Sequence, residues 1–324
     1  MATIKVAVGQ MCSGSCLKTN ARIASKLVDM AVKANAKVLF LPEAADYISR
    51  NTDHSIRLAE LTKRDFLEPL QEKIRSYHKS GEVDDGIFVA VGIHAPASCE
   101  NRGRKVQNNQ LWISNKGEIL HRYQKVHLFD VNIANGPVLK ESDAVEPGTK
   151  IHLPFKIGKR SPCSDFRVGL AICYDIRFPE MASRLRQKGA HIITYPSAFT
   201  TKTGEAHWRA LGRARAIDTQ CYIVMAAQCG SHDVTADLTE EEKSELNYST
   251  TRDSYGQALI VDPWGEIIAE APNYQNRGAK DEDGDYYEMI TADLSKEFLY
   301  SIRRELPVLR HRRPVIYLDS YPER

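Results

Sequence analysis

Three reactive side chains each follow a strand-like stretch of the sequence. Glu43 follows the apolar run Leu39–Leu41 and a proline, Lys125 ends the second strand of a predicted hairpin, and Cys173 follows Val168–Ile172. Sheets of α/β proteins place active sites at the carboxyl ends of their strands. A carboxylate, an ammonium and a thiol can together supply a base, a cation for a developing oxyanion and a nucleophile. This set permits cysteine-dependent amide hydrolysis, and a nearby lysine would also favour the thiolate.

Each of the three residues has a more ordinary interpretation when it is taken alone. Glu43 could begin a solvated loop, Lys125 could be a surface lysine, and cysteines in apolar contexts are most often core residues. A core role fits Cys221 better than Cys173, because Cys173 is followed by Pro179, which is suited to open a helix. A sharp strand-to-helix turn would expose the sulfur and direct free backbone N–H groups at its target. The residues alone therefore permit the triad without singling it out.

The elements that must position these residues follow an α/β pattern. Alternation at Ile4, Val6 and Val8 predicts a strand, helical spacing follows over Ala24–Val32, and Val38–Leu41 predicts a buried strand. The later predicted elements are a helix over Ile56–Tyr77, a strand over Ile87–Ile93, a hairpin of Gln110–Ser114 and Glu118–Tyr123, a loop over 131–165, strands over Val168–Ile172, Ile192–Tyr195 and Tyr222–Ala227, helices over Pro179–Lys188 and Glu205–Thr219, and a hairpin of Gln257–Val261 and Glu266–Ala269. This order predicts helices that cover the outer faces of sheets.

Composition limits the classes of protein to consider. The 324 residues are 42% apolar and 27% charged, and 44 Lys and Arg against 42 Asp and Glu leave a net charge of +2, which argues against a nucleic-acid binder. The longest apolar run, Cys221–Ala227, is far shorter than the ~20 residues that span a bilayer. The sequence contains no GxGxxG, Walker, HExxH or GxSxG motif. We therefore expect a soluble protein that binds neither nucleic acid nor membrane.

The cysteines and the N-terminus indicate the compartment. Seven cysteines, an odd number with no CxxC pair, argue against a disulfide framework and a zinc site. Free thiols are typical of a reducing compartment. The first strand begins almost at once, without a signal-peptide pattern and with no room for a transit peptide. We expect a cytoplasmic protein, with a mitochondrial location as the alternative.

The three contexts, in this order, resemble the carbon–nitrogen hydrolase (nitrilase) superfamily. The motifs that carry the resemblance lie at Gly9-Gln10, Leu39–Glu43, Arg122–Leu128, Lys140–Ser142, Pro147-Gly148, Val168–Glu180 and Asp262–Gly265. The resemblance implies a catalytic triad of Glu43, Lys125 and Cys173, with Glu141 positioning the lysine and the substrate. It implies an α/β fold, a four-layer α-β-β-α sandwich in a single domain over residues 1–324, that forms a homodimer by packing helices of two subunits. No metal or organic cofactor is implied.

Further motifs narrow the resemblance to deaminated glutathione amidases. They are Tyr195–Phe199, Ala206–Trp208, Arg213–Tyr222 and His311–Pro314, and Cys173–Glu180 fits both this branch and the related ω-amidases. Both branches act on small 2-oxo acid amides, so we expect such a substrate. The Tyr174 N–H would then help Lys125 to hold the oxyanion. Arg177 would bind a substrate carboxylate, although a salt bridge to Asp175 or Glu180 is an equally simple role for it on sequence alone.

Strand-end placement predicts the remaining pocket residues. Ser197, Phe199 and Thr200 follow the strand after the cysteine and should line the same pocket. The sequence departs from the branch at Arg209, where relatives usually carry Glu, and in polar stretches near 233–253 and 272–287, which predict surface insertions.

Four functions follow from this resemblance. The first is hydrolysis of deaminated glutathione to 2-oxoglutarate and cysteinylglycine, a metabolite-repair reaction. The second is ω-amidase activity on 2-oxoglutaramate or 2-oxosuccinamate, which would use the same catalytic residues. A true nitrilase and a catalytically idle scaffold of the same fold are weaker alternatives, because the branch motifs and the intact triad argue against them.

Overall fold

The computed structural model describes residues 2–78, 86–98, 100–132, 138–160, 162–244, 252–313 and 316. The strands are Thr3–Met11 (β1), Val38–Phe40 (β2), Phe88–Pro96 (β3), Val106–Ile113 (β4), Ile119–Gln124 (β5), Asp130–Asn132 (β6), Val138–Lys140 (β7), Phe155–Lys156 (β8), Arg167–Leu170 (β9), Ile192–Thr194 (β10), Tyr222–Met225 (β11), Ala227–His232 (β12), Arg252–Tyr255 (β13), Leu259–Val261 (β14), Ile267–Glu270 (β15) and Tyr287–Ser295 (β16). The α-helices are Leu17–Lys33 (α1), Thr52–Thr62 (α2), Glu68–Ser76 (α3), Pro179–Gln187 (α4), Thr201–Thr219 (α5), Glu240–Ser244 (α6), Lys296–Glu305 (α7) and Val308–His311 (α8). A π-helical turn at Lys63–Leu67 joins α2 to α3, and 3-10 helices span Glu141–Asp143, Cys163–Asp165 and Cys173–Arg177.

Two sheets form the centre of the molecule. The first sheet has the order β13-β12-β1-β2-β3-β4-β5, and β16 pairs with β1 in antiparallel orientation along its length. The second has the order β15-β14-β11-β10-β9-β8, in which β9, β10 and β11 are parallel. The short strands β6 and β7 pair with each other and, among the described residues, with no other strand.

The alternation of side chains along the strands produces four layers. In the first sheet, Trp112 packs its ring 5.1 Å from that of Phe155 in the second sheet, while Leu39 points outward into the cluster formed with α1, α2 and α3. In the second sheet, Gly169 lies against Leu185 of α4, and α5 packs on β11. The expected four-layer α-β-β-α sandwich is therefore confirmed, because each sheet buries one face against helices and the other against its partner.

Several predicted elements differ from the structure in instructive ways. The predicted strand Tyr222–Ala227 divides, because the chain leaves the second sheet after Met225 and enters the first as β12 at Ala227. The predicted loop over 131–165 contains β7 and β8, together with the last residues of β6. Sequence patterns missed β16, whose residues are mostly half-buried and therefore lack a clean apolar alternation.

The two polar stretches are placed only in part. Of 233–253, residues 245–251 lie outside the described residues, and the rest holds α6 and the start of β13. The stretch 272–287 contains Asp281, Asp283 and Asp285, whose carboxylates lie 2.7, 2.6 and 2.9 Å from the Nζ of Lys26 on α1. The lysine ammonium thus occupies the point where a cation would bind to this acidic group.

The described residues also bear on the membrane and thiol predictions. Among them, no helix combines the length and the apolar character that crossing a bilayer requires. Six of the seven cysteines are described and all six are free thiols, while Cys99 lies outside the described residues.

Candidate active site

The structure brings the three predicted reactive residues into one buried cluster. Glu43 lies three residues beyond the end of β2, Lys125 follows β5 directly, and Cys173 begins a 3-10 helix after β9. Their exposed fractions are 4%, 2% and 9%, and all three line a cavity of about 480 Å³. Convergence of strand ends from both sheets therefore forms the base of the cavity, as the strand-end rule predicts.

Lys125 is the centre of the charge network. Its Nζ lies 2.9 Å from Glu43 Oε1 and 2.9 Å from each carboxylate oxygen of Glu141. Burial alone would lower the pKa of Lys125, but the negative charges of Glu141 and Glu43 hold that pKa well above its ordinary value. The lysine is therefore a fixed cation, as an oxyanion-binding group must be.

Glu43 is held by groups on both of its oxygens. Besides Lys125, Oε1 accepts a hydrogen bond of 2.8 Å from Asn108 Nδ2, and Oε2 accepts one of 2.9 Å from the backbone N–H of Ala198. Burial would raise the pKa of Glu43, but the charge and hydrogen bond of Lys125 outweigh burial and lower it. The carboxylate is consequently ionised and can accept a proton.

Cys173 is held as a thiol rather than a thiolate. Burial raises its pKa well above the ordinary value, the charge of Glu43 raises it further, and Lys125 only partly opposes these effects. Lys125 does favour the thiolate, as expected, but burial and Glu43 outweigh its effect. A neutral thiol that donates its hydrogen bond to an ionised Glu43 is the arrangement for general-base activation during attack.

Asp175 anchors the turn that presents the sulfur. Its Oδ2 accepts hydrogen bonds from Tyr123 Oη at 2.7 Å and from the Ile172 N–H at 2.9 Å, and its Oδ1 lies 2.7 Å from His127 Nδ1. Cys173 itself has a φ of +45°, a left-handed conformation that costs free energy for a residue with a side chain. Its N–H donates to the carbonyl of Pro196 at 3.0 Å, which helps to hold this turn.

Glu141 occupies the position that the resemblance implies. It begins the 3-10 helix after β7, and besides Lys125 its Oε2 accepts a hydrogen bond of 2.7 Å from the Phe129 N–H. Asn108 reaches its other oxygen at 3.4 Å. Glu141 thus holds the Lys125 ammonium in place, while Glu43 is the carboxylate that can accept the proton.

The predicted substrate-binding residues divide into two groups. Tyr174, Arg177, Phe199 and Thr200 line the cavity. Ser197 does not: it is buried, and its hydroxyl donates to the Tyr195 carbonyl at 3.0 Å. Ser197 is still paired with the neighbouring chain segment, where its N–H donates to the Ala226 carbonyl at 2.9 Å, whereas Phe199 and Thr200 follow this pairing.

Arg177 makes no ion pair with a carboxylate of the described residues. Its Nη2 lies 3.1 Å from His207 Nδ1, and its guanidinium lies 5.9 and 5.8 Å from the ring centres of Tyr174 and Phe199. The oxygens of Asp175 are bonded to the turn described above, so the proposed internal salt bridge does not form with Asp175. This geometry leaves the guanidinium fork available to an anion in the cavity.

Arg209 lies away from the cavity. Its Nε is 3.3 Å from Glu270 on β15, so this departure from the branch pattern forms an ion pair on the second sheet's side of the molecule.

Sequence reasoning missed several cavity residues. Asn108 donates hydrogen bonds to Glu43 and Glu141. A signal for it was present in the sequence, because three consecutive polar residues, Asn108, Asn109 and Gln110, lie within the apolar strand β4, where all three are buried.

His94 also lines the cavity, with Nδ1 3.0 Å from the buried carboxylate of Asp46. Burial would lower the pKa of His94, but Asp46 raises it above the ordinary value. No local sequence motif identified His94, because its partner Asp46 follows a different strand, β2.

Gly92 permits the close approach of the Glu43 loop. A Cβ atom at position 92 would lie 2.5 Å from Glu43 Cα and 2.6 Å from the Pro42 carbonyl oxygen. Gly92→Ala should therefore lower the free energy of unfolding by about 1–3 kcal/mol and, by displacing Glu43, lower kcat by roughly ten- to a hundred-fold. Urea unfolding and steady-state kinetics measure both quantities.

Gly278→Ala is the matched control, since a Cβ there would approach no backbone atom and only the end of the Glu288 side chain, at 3.0 Å. Unchanged stability and unchanged kcat in Gly92→Ala would show that the Glu43 loop does not depend on this close contact.

Comparison with known proteins extends the likeness over nearly the whole chain. A carbon–nitrogen hydrolase family model matches residues 5–304. "Probable hydrolase nit2" of Schizosaccharomyces pombe is 41% identical over 319 residues, which are 98% of each chain. The deaminated glutathione amidase of Mus musculus is 36% identical over 313 residues, covering 96% of this chain and 84% of that protein. The crystal structure of the C. elegans NitFhit protein aligns with a TM-score of 0.78 at 32% identity, covering 98% of this chain and 66% of that one.

Proposed function

The chain belongs to the carbon–nitrogen hydrolase family and hydrolyses amide carbon–nitrogen bonds, and from this premise we propose that its substrate is deaminated glutathione. The products would be 2-oxoglutarate and cysteinylglycine. The observation that carries the proposal is the hydrogen-bonded group of Glu43, Lys125 and Cys173 at the base of a cavity that also contains Arg177. Relatives named as deaminated glutathione amidases, 36% identical over most of the chain, support this choice of substrate.

Acylation uses the thiol and the carboxylate that the site holds together. Glu43 takes the proton of Cys173 as the sulfur attacks the amide carbonyl, which forms a carbon–sulfur bond and a tetrahedral oxyanion. Lys125 Nζ and the Tyr174 N–H bind that oxyanion. The N–H lies in the first turn of a 3-10 helix, where backbone donors lack helical partners. Each such donor contributes about 3–4 kcal/mol to the lowering of the barrier.

Breakdown of the intermediate returns the proton. Glu43, now protonated, donates to the departing nitrogen of cysteinylglycine as the carbon–nitrogen bond breaks and the thioester forms. Glu43 then takes a proton from water, whose oxygen attacks the thioester, and the released sulfur regains its proton. One water is consumed, and neither a metal nor an organic cofactor takes part in any step. Glu141 acts on Lys125, which it keeps charged and in place.

Side chains that line the cavity would orient the substrate. Arg177 would bind the carboxylate of the 2-oxoglutaryl group, because its planar fork matches a carboxylate bidentately and no protein carboxylate of the described residues competes. Phe199 and Tyr174 flank the guanidinium and restrict its position. The Ser197 hydroxyl does not bind the substrate, because it donates to the Tyr195 carbonyl.

The ω-amides are the alternative substrates within the same reaction class. 2-Oxoglutaramate and 2-oxosuccinamate would share the triad and Arg177, but Asn51, Thr52 and Arg252 also line the cavity. That additional space favours a substrate with a long leaving group.

A substrate panel tests the proposal. We expect kcat/KM for deaminated glutathione to exceed that for 2-oxoglutaramate by about ten-fold or more, because the additional contacts act on the larger substrate alone. Steady-state assays of both compounds, with a nitrile analogue as the control for nitrilase activity, measure this ratio. A preference for 2-oxoglutaramate would establish the ω-amidase alternative instead.

We also propose that the enzyme is a cytoplasmic homodimer. Ile217 on α5 and Trp264 in the β14–β15 turn are exposed, and Ile217 lies against Gly265, so the outer helix layer carries an apolar patch suited to an interface. Light scattering of the purified chain measures the oligomeric state.

The free cysteines favour a reducing compartment, which supports the cytoplasmic location. Cell fractionation distinguishes cytosol from mitochondrion.

A further inference from the structure

The cavity contains a second arginine that the mechanism does not use. Arg252, the first residue of β13, lines the cavity together with Arg177. Its Nη2 donates to the Arg50 carbonyl at 3.4 Å, and no carboxylate of the described residues lies within ion-pair distance of it. Arg252 is an exposed residue and therefore accessible to a ligand, although the protein atoms packed around it lower its pKa.

The other cations of the cavity are already paired. Lys125 lies between two glutamates, Lys140 Nζ is 3.0 Å from Asp143, and His94 is 3.0 Å from Asp46. Within the described part of the chain, the cavity thus has two cations without carboxylate partners, Arg177 and Arg252. Deaminated glutathione carries two carboxylates, one on the 2-oxoglutaryl group and one on the terminal glycine.

The distance along β13 fits this pairing. Tyr255, at the end of β13, donates its N–H to the Phe199 carbonyl at 2.9 Å. This bond fixes that end of the strand beside Phe199, which lines the same cavity as Cys173. Arg252 lies three residues earlier, so its backbone is about 10 Å away along the strand. The two residues of a cysteinylglycine group extend over about 7 Å, which is of the same order, and Arg252 lines the cavity.

The strand that carries Arg252 is held firmly. A Cβ atom on Gly204 of α5 would lie 2.2 Å from the Tyr255 ring, so strand and helix are in direct contact. The backbone of β13 pairs with β12 from Arg252 to Tyr255. The carboxylate of Asp237 is bound by Arg50 at 2.5 and 2.9 Å and forms no ion pair with Arg252.

We propose that Arg252 binds the terminal carboxylate of the leaving dipeptide and thereby determines specificity for dipeptidyl amides over simple ω-amides. This inference rests on the proposed function. It assigns the two unpaired arginines to the two substrate carboxylates, Arg177 to the acyl side of the scissile bond and Arg252 to the amine side.

Binding measurements on the inactive Cys173→Ala chain test the inference without turnover. Adding Arg252→Gln should raise the Kd of deaminated glutathione about ten- to a hundred-fold, since a charge-assisted pair is lost, and leave the Kd of 2-oxoglutaramate within about two-fold. Arg252→Lys should recover part of the affinity, because it keeps the charge without the fork. Arg102→Gln is the matched control, since Arg102 is exposed and outside the cavity.

A modified ligand makes the test independent of any variant. Deaminated glutathione with its terminal carboxylate converted to a carboxamide should bind the Cys173→Ala chain about ten- to a hundred-fold more weakly, and Arg252→Gln should not weaken it further. Equal Kd values for the acid and the carboxamide, or equal losses on both substrates in Arg252→Gln, would overturn the role of Arg252 alone. Failure of the unmodified active enzyme to hydrolyse deaminated glutathione would overturn the proposed substrate as well.

Discussion

Replacing Cys173 by alanine should abolish amide hydrolysis while the protein stays folded. Without the sulfur no thioester can form, and Glu43 and Lys125 have no covalent intermediate to act on. We expect kcat/KM to fall by at least about 10⁴-fold, the scale seen when a catalytic nucleophile is removed. Cys173 is buried but lines the cavity, and alanine keeps its Cβ, so little packing is lost and the melting temperature should change little. Steady-state assays and thermal unfolding measure the two effects.

Cys221→Ala is the matched control for this experiment. Cys221 is fully buried beneath α7, where its thiol donates to the Ala190 carbonyl at 3.3 Å and lies 3.3 Å from Arg303. Its replacement should reduce stability and leave kcat/KM within about two-fold, because packing but not chemistry is lost. If Cys173→Ala kept more than about 1% of the activity, or if Cys221→Ala lost as much activity, Cys173 would not be the nucleophile.

The sequence was sufficient to predict those parts of the site that depend on local pattern. An apolar strand followed by a turn made Glu43 and Cys173 candidates, the family resemblance singled them out, and the structure places both after strand ends in one cavity. Strand and helix periodicities are local properties, and they predicted helices that cover the outer faces of sheets. The four-layer arrangement was implied by the resemblance. Lys125 was weaker as a local signal, and only its place in the order of motifs made it stand out.

Register and side-chain direction decided what the sequence could not predict. Asn108 reaches Glu43 because β4 and β5 pair so that the Lys125 N–H donates to the Asn108 carbonyl at 2.9 Å. Ser197 follows the same strand as Phe199 but turns its hydroxyl into the protein. Arg252 enters the cavity through β13, at the far edge of the first sheet, from a segment that looked like an insertion. The contact of Asn108 with Glu43 and the entry of Arg252 into the cavity join segments distant in sequence, and no periodicity encodes such a pairing.

Replacing Glu43 by glutamine should remove the proton acceptor with little change of shape. Because Cys173 is a thiol with a raised pKa, attack requires a base, and we expect kcat to fall by about 10²–10⁴-fold. Lys125 keeps its two bonds to Glu141, so the cation should remain in place. Glu146→Gln is the matched control, since Glu146 is bound by Ser98 and Gln107 outside the cavity. Stopped assays of amine release measure the loss.

The pH dependence separates the role of a base from a purely structural role. In the wild type, the lowered pKa of Glu43 means that activity is present at neutral pH and falls only as pH drops through a value below the ordinary glutamate pKa of about 4.3. The stabilising contribution of the Glu43 carboxylate has the same sign: it is present above the unfolded pKa and is lost as pH falls through the folded one.

In Glu43→Gln only the thiolate fraction of Cys173 can react, so the residual rate should rise about ten-fold per pH unit up to the thiol pKa of the variant, which burial still raises although the Glu43 charge is gone. A residual rate that does not change with pH would mean that Glu43 positions the substrate and does not accept the proton. The pH profile thus tests the assignment even where the fall in kcat alone is ambiguous, because mispositioning lowers the rate at every pH while loss of a base transfers proton removal to the solvent.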